Sequence, residues 1–241
     1  MNKNLNKIVE EYICDFKQKK KYDFIVKPSI PIVWFGNMEG YISSSQKVVT
    51  VGLNPSLKEF SEKRFHIDSD NFSAEDLYFS LNNYFKVNPY RKYFSCFDKI
   101  LETFNATYND TVGEKNTAIH IDVFTSIATK PTWGKLTEIQ QNRVNQFALF
   151  EKLLEYLAPD VVIISLARQV VRDIFDLSTH CLIYRKEFSV GPEIEVYQKN
   201  NKIIVYGRNR TGCPFAVKTE IIMDAKKFLS DRRNTYEKLS F

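Results

Sequence analysis

Hydrophobic and polar positions follow two rhythms along this chain. Residues 4–20 place apolar side chains at helical spacing and end in a lysine-rich run from Lys17 to Lys21, which predicts an amphipathic first helix. Short runs at 48–53, 118–123, 161–164 and 202–206, rich in β-branched and apolar residues, read instead as core strands. Between them helical patterning returns at 74–85, at 90–104 after the break at Pro89, along the face Val144, Phe147, Phe150, Leu154 and Leu157, at 168–175, and from Pro214 onward. A hairpin-like segment covers 181–199 with Gly191-Pro192 as its turn. Pro28, Pro31, Gly36 and Gly40 punctuate an irregular lead-in segment around Trp34 and Phe35. Strands alternating with helices predict an α/β fold: a doubly wound, mostly parallel, four-stranded central sheet flanked by helices. Nothing marks a linker, so 1–241 reads as a single domain, with 1–31 as its N-terminal helix and lead-in segment.

Composition adds bounds. The chain carries 34 basic and 29 acidic residues, a net charge of +5, which is compatible with a polyanionic partner without requiring one. No apolar run approaches the length of a membrane span and no signal-peptide core follows Met1, so the expectation is a cytoplasmic protein with no membrane partner. The four cysteines (Cys14, Cys96, Cys181, Cys213) are scattered without a C-x-x-C pair, and no His/Cys/Asp cluster has metal-ligand spacing. Reduced structural thiols, no metal, no iron–sulfur cluster and no cofactor are expected. Neither a serine nucleophile elbow nor a phosphate P-loop is present. Aromatic residues make up 14%, enough to leave some rings for stacking once a core is filled.

Candidate chemistry concentrates where the first predicted strand stops. Val48-Val49-Thr50-Val51 runs into Gly52-Leu53-Asn54-Pro55-Ser56, a small-residue turn carrying one polar side chain. An open α/β sheet presents reactive groups at this carboxyl edge. Asn54 cannot ionise, so it can position and polarise a water but cannot act as a strong base. The alternative is a simple turn residue beside Pro55. Glu59, Asp68 and Asp70, in the polar loop that follows, include a candidate to assist the water or are solvated loop acids.

Gly52-Leu53-Asn54-Pro55-Ser56 after a strand resembles the first motif of the uracil-DNA glycosylase superfamily, especially its mismatch-specific and single-strand-selective branches. Later elements come in a similar order over about residues 32 to 229: an aromatic in the next loop, a Tyr-Phe-x-x-Phe helix, a strand ending in a polar residue, a Pro-Asp-Val-Val-Ile-Ile strand, and a fourth strand whose loop enters the last helix. The resemblance implies a monomeric, monofunctional DNA base glycosylase that flips a nucleotide out and cleaves the base–sugar bond, with DNA as partner, in repair or against foreign DNA such as phage genomes. A non-catalytic nucleic-acid binder on the same fold is the alternative. By similarity Asn54 holds the water, Gly52 and Leu53 border the base, and Phe65 stacks on it, with Phe60 as competitor and a plain loop anchor as the bland reading.

Asp122 ends the second predicted strand where related enzymes commonly place Asn to read uracil. A carboxylate only accepts hydrogen bonds, so it suits the exocyclic amino group of a cytosine-type base. Its alternatives are a loop cap or a pair with Lys130. Lys130 and Trp133 suit a pocket wall or phosphate contact, or a packed indole that pins the loop. Ser56 offers a phosphate contact or a turn cap. The departure from the family lies after the fourth strand, in Arg208-Asn209-Arg210-Thr211-Gly212-Cys213-Pro214-Phe215, where the family's histidine is missing. Arg208 or Arg210 can meet the departing base as a permanent cation while the other contacts phosphate. Asn209 and Thr211 fall in the same DNA-contacting loop, and amides around Thr211 to Phe215 would favour an anion if the helix starts there. Phe215 reads as a DNA wedge or as core.

Overall fold

The four runs read as core strands form the contiguous centre of one larger sheet. The computed structural model describes the chain except residues 61–63, 66, 110–114, 189–190, 211–212 and 239–241 and the side chains of Phe188 and 232–238. Its strands are β1 (Val48–Gly52), β2 (Ala106–Thr107), β3 (Asn116–Asp122), β4 (Val161–Ile164), β5 (Cys181–Phe188), β6 (Gly191–Lys199) and β7 (Lys202–Gly207), in the spatial order β2-β3-β1-β4-β7-β6-β5. Pairs from β2 across to β7 are parallel, and β6 and β5 add an antiparallel edge. Every residue of β1 and β4 is buried, as a parallel strand covered on both faces requires.

Helices surround this sheet: α1 (Lys3–Lys19), α2 (Met38–Ser43), α3 (Ala74–Asn82), α4 (Tyr84–Val87), α5 (Arg91–Phe94), α6 (Asp98–Thr103), α7 (Glu138–Val144), α8 (Phe147–Leu157), α9 (Arg168–Phe175) and α10 (Thr219–Lys238). Asn2 caps α1 by accepting from the Leu5 N–H at 2.9 Å, and Leu5, Ile8, Val9, Tyr12, Ile13 and Phe16 form its buried stripe. Each such side chain contributes about 1.5–3 kcal/mol on full burial. Among the described residues no helix is long and apolar enough to cross a membrane.

Several expectations need correction. The sheet has seven strands rather than four: the predicted hairpin joins it as β5 and β6, and the two-residue β2 extends the other edge. Gly191 and Pro192 open β6, paired with Phe188 and Glu187, and are not themselves the turn. The stretch 90–104 is two short helices, α5 and α6, joined by a 3-10 turn at Ser95–Phe97. The last helix begins at Thr219, five residues beyond Pro214.

Topology places the site. The chain leaves β1 toward β3 on one flank and later builds β4 and β7 on the other, so connections diverge at the β1/β4 boundary. In open α/β sheets ligands bind outside the carboxyl ends of the strands at such a reversal. Registers Gly52↔Asp122, Val51↔Ile164 and Ile164↔Tyr206 bring the ends of β1, β3, β4 and β7 to one edge.

Candidate functional site

The loops after β1 and β3 stay zipped beyond the sheet. Val123 donates its N–H to Gly52 O and Phe124 to Leu53 O, both at 3.0 Å. Half-buried Asn54 follows, and its Nδ2 donates to Pro55 O at 2.8 Å and to Thr129 Oγ1 at 3.1 Å. Both amide hydrogens are therefore used within the protein, and among the described residues Oδ1 has no hydrogen-bond partner, so it is the end that can accept from a water. Ser56 bridges to Thr129, and its Oγ accepts from the Lys58 N–H at 3.2 Å, capping the 3-10 turn Leu57–Glu59. The turn cap is thus the role seen for Ser56.

Beneath this loop a line of polar groups crosses the sheet. Thr50 Oγ1 lies 2.5 Å from the Tyr108 hydroxyl and 2.7 Å from His120 Nδ1. His120 Nε2 is 3.4 Å from the Tyr93 hydroxyl and 3.7 Å from Asp122 Oδ1. Burial, then the Asp122 charge, hold the Tyr93 hydroxyl well above its ordinary pKa, and burial does the same at Tyr108, so both are neutral donors. Gly52 is glycine for want of space: a Cβ there would run into Asp122 Oδ1 and stand 2.7 Å from the Tyr93 hydroxyl and 2.8 Å from His120 Nε2. Asp122 therefore sits over the end of β1 with His120 as its partner. Lys130 is exposed and, among the described residues, makes no ion pair with it.

Glu59 is the group that sequence reasoning undervalued. It lies on the Asn54 loop but is buried, and its Oε2 accepts from the Tyr84 hydroxyl at 2.5 Å. Burial raises its pKa from 4.5 to about 7; the Tyr84 bond opposes this, the nearby Asp122 charge adds to it, and Arg64 opposes it. Only the Ser56-x-x-Glu59 spacing, typical of a helical start, hinted that this acid is structurally placed. Tyr84 also carries Phe65, whose half-buried ring stacks on it at 5.3 Å between centroids, and the Phe60 ring lies 5.5 Å from that of Phe65. Both phenylalanines line a cavity of about 310 Å³. His66, next in the chain to Phe65, lies outside the described residues.

The loop after β7 is built differently. Arg208 NH1 lies 3.4 Å from Glu193 Oε2 and Arg210 NH2 3.2 Å from Glu193 Oε1, so both cations engage one fully buried carboxylate of β6. Exposed Asn209 donates to Ser165 O at 3.2 Å, tying the loop to the end of β4. Phe215 is core: its ring fills the space that a Cβ on Gly207 would need and packs on Phe97. It is therefore not available as an exposed wedge. Thr211 lies outside the described residues, and because α10 starts at Thr219 its amides are not at Thr211 to Phe215. Trp133 is also packed, stacked on Phe124 at 4.8 Å, which is the pinning role. The cysteines are free thiols, and burial with contact from Cys213 pushes Cys96 up to about 12. Among the described residues no group of three or more His, Cys, Asp or Glu is placed to hold a metal. No protein-family model matches the chain and no curated protein matches it, so the functional argument rests on this geometry.

Proposed function

We propose that the protein is a DNA base glycosylase, on a doubly wound fold akin to the uracil-DNA glycosylase superfamily, acting on a uracil-like or cytosine-type modified base without metal or cofactor. The order β3-β1-β4-β7 inside the larger sheet, with the Asn54 loop after a central strand, supports the fold part. The chemistry rests on one observation: a single loop carries an amide with its Oδ1 left for water and a buried carboxylate poised at about 7. Asn54 orients the water. Glu59 takes its proton as the oxygen bonds to C1′ and the C1′–base bond breaks, its electron pair leaving on the base. Phe65 stacks on the flipped base, an interaction worth about 1–3 kcal/mol. Asp122 accepts from an exocyclic amino group. Two arginines on one carboxylate leave one positive charge in excess, which meets the departing anion.

The test is a panel of oligonucleotides and phage DNAs with differing modified pyrimidines, treated with alkali after incubation. Strand breaks at abasic sites are expected with the wild type and not with Asn54→Ala. A non-excising DNA binder is favoured by one feature, the commitment of both arginines to Glu193. Retention of every DNA in the panel without an alkali-labile site would establish that reading and remove the glycosylase.

A further inference from the structure

The lysine run that closes α1 has a partner elsewhere in the chain. Lys19 pairs with Asp15 at 2.8 Å and donates to Asn145 O, so it faces away. Lys17, Lys20 and Lys21 instead line a cavity of about 620 Å³ whose opposite wall includes Lys27 and Ser69. Cations at a helix C-terminus are favoured by its dipole by about 0.3–1 kcal/mol, which accounts for lysines on α1. It does not account for Lys27, on a separate segment facing the same space. Asp70 also lines this cavity and offsets Lys20, to which it pairs at 3.3 Å, and Asp68 accepts from the Asp70 N–H, so the excess charge lies on Lys17, Lys21 and Lys27.

This basic cavity continues into an aromatic one. Pro28, Ser29 and Ser69 line both it and the 310 Å³ cavity of Phe60, Arg64 and Phe65. Its wall is also tied to the candidate site: Val26 donates to Ala128 O at 3.0 Å, Ile25 bridges to Thr129, and Thr129 receives the Asn54 amide. A groove thus runs from four lysines to two phenylalanine rings beside the Asn54 loop.

We propose that this groove carries a single strand of DNA, its phosphates on Lys17, Lys21 and Lys27, the target base on Phe65 and a neighbouring base against Phe60. This rests on the reading above that the site acts on DNA. Rings at the end of a groove can stack only on unpaired bases, and cations along one channel follow one backbone, so the geometry selects a single strand over a duplex.

The test titrates a labelled single strand lacking any excisable base, over a range of salt, against the wild type, K17Q/K21Q/K27Q and F65A. The triple variant leaves the Lys20–Asp70 pair in place, and its melting temperature checks folding. Each lost phosphate contact on a single strand lowers the slope of log K against log salt by about 0.7, so the triple variant is expected to lose about 2. F65A is expected to weaken binding with the slope unchanged, since stacking releases no counterions. An unaltered slope in the triple variant, or tighter wild-type binding to a duplex of equal length, overturns the proposal. Excision is followed in parallel. Lysine-dependent binding without abasic sites supports the groove and removes the glycosylase; abasic sites with a lysine-independent slope remove the groove alone.

Discussion

Two pairs of buried acids at the same edge of the sheet are handled in opposite ways. On the β1/β3 side, Glu59 accepts from the Tyr84 hydroxyl with Arg64 as the nearby cation, and Asp122 lies beside His120 and the Tyr93 hydroxyl. On the β6 side, Glu193 is held by Arg208 and Arg210, and Glu195 by Arg168 at 2.8 Å and Arg185 at 3.5 Å. Desolvation that the Tyr84 bond and Arg64 offset only in part raises Glu59 to about 7, where it can exchange a proton at neutral pH. Guanidinium partners on the other side fix charge and geometry instead, since arginine does not give up its proton. Burial of an acid is therefore not the mark of chemistry here; the charge of its partners is.

The sharpest way to break this contrast is Glu59→Gln. Loss of a general base is expected to lower excision by about 10²–10⁴-fold, measured as single-turnover release of the base. Wild-type excision should rise with pH through about 7 as Glu59 loses its proton, and the variant should lose that rise. Stability runs the other way. The folded pKa of Glu59 is raised, so folding favours its protonated form; that stabilisation is complete below about 4.5 and is lost as pH climbs through 7. The loss is about 3 kcal/mol, so urea unfolding should show Glu59→Gln gaining that much on the wild type between pH 4 and pH 9. Parallel stability profiles for the two proteins would show that Glu59 is not a desolvated acid.

On the other side the expected effect is structural first. Arg208→Ala with Arg210→Ala strands the Glu193 carboxylate in the core and should cost about 3 kcal/mol. Adding Glu193→Leu removes the stranded charge and should restore most of the stability. If the excess cation meets the leaving base, excision by the restored triple variant stays about a hundredfold low. Full activity in that variant would make both arginines purely architectural.

What the chain disclosed in advance divides along the same line. Central parallel strands are covered on both faces, so β1, β3, β4 and β7 are legible as short runs rich in β-branched and apolar residues, even with Thr50, His120 and Asp122 among them. Glu59 is not legible, because an acid among Lys58, Ser61 and Glu62 reads as solvated; the Tyr84 hydroxyl that holds it comes from another helix. Glu193 and Glu195 alternate with Ile194 and Val196, the pattern of a strand with one wet face. That face is covered instead by arginines at 168, 185, 208 and 210, which converge only in three dimensions. The sequence of the Arg208–Phe215 loop carries no sign of its anchor, because Glu193 sits on a different strand.

Two glycines offer a matched pair of smaller perturbations. Gly207→Ala would drive a methyl into the buried Phe215 ring and should cost about 1–3 kcal/mol in thermal unfolding, with excision per folded molecule kept. Gly52→Ala pushes on the polar tips of Asp122, Tyr93 and His120, so its main effect should be on excision and base preference. Equal losses of activity in the two variants would erase the division between a chemical and a structural half.

Asp122→Asn tests the finest feature, the choice of base. Asp122 Oδ1 lies 3.7 Å from His120 Nε2, and the other ring nitrogen, Nδ1, lies 2.7 Å from Thr50 Oγ1, which is 2.5 Å from the Tyr108 hydroxyl. This line fixes the imidazole from behind and keeps Asp122 directed over the end of β1. Asn in its place presents an N–H to the ligand, which repels an amino group and welcomes a carbonyl. Discrimination by one well-placed contact is about 1–3 kcal/mol, so the ratio of excision from amino-bearing to carbonyl-bearing pyrimidines should fall by about 10- to 100-fold. Competition between two labelled oligonucleotides in one tube measures that ratio directly, free of differences in protein stability. An unchanged ratio would mean that Asp122 serves the sheet edge and that the base is read by other groups.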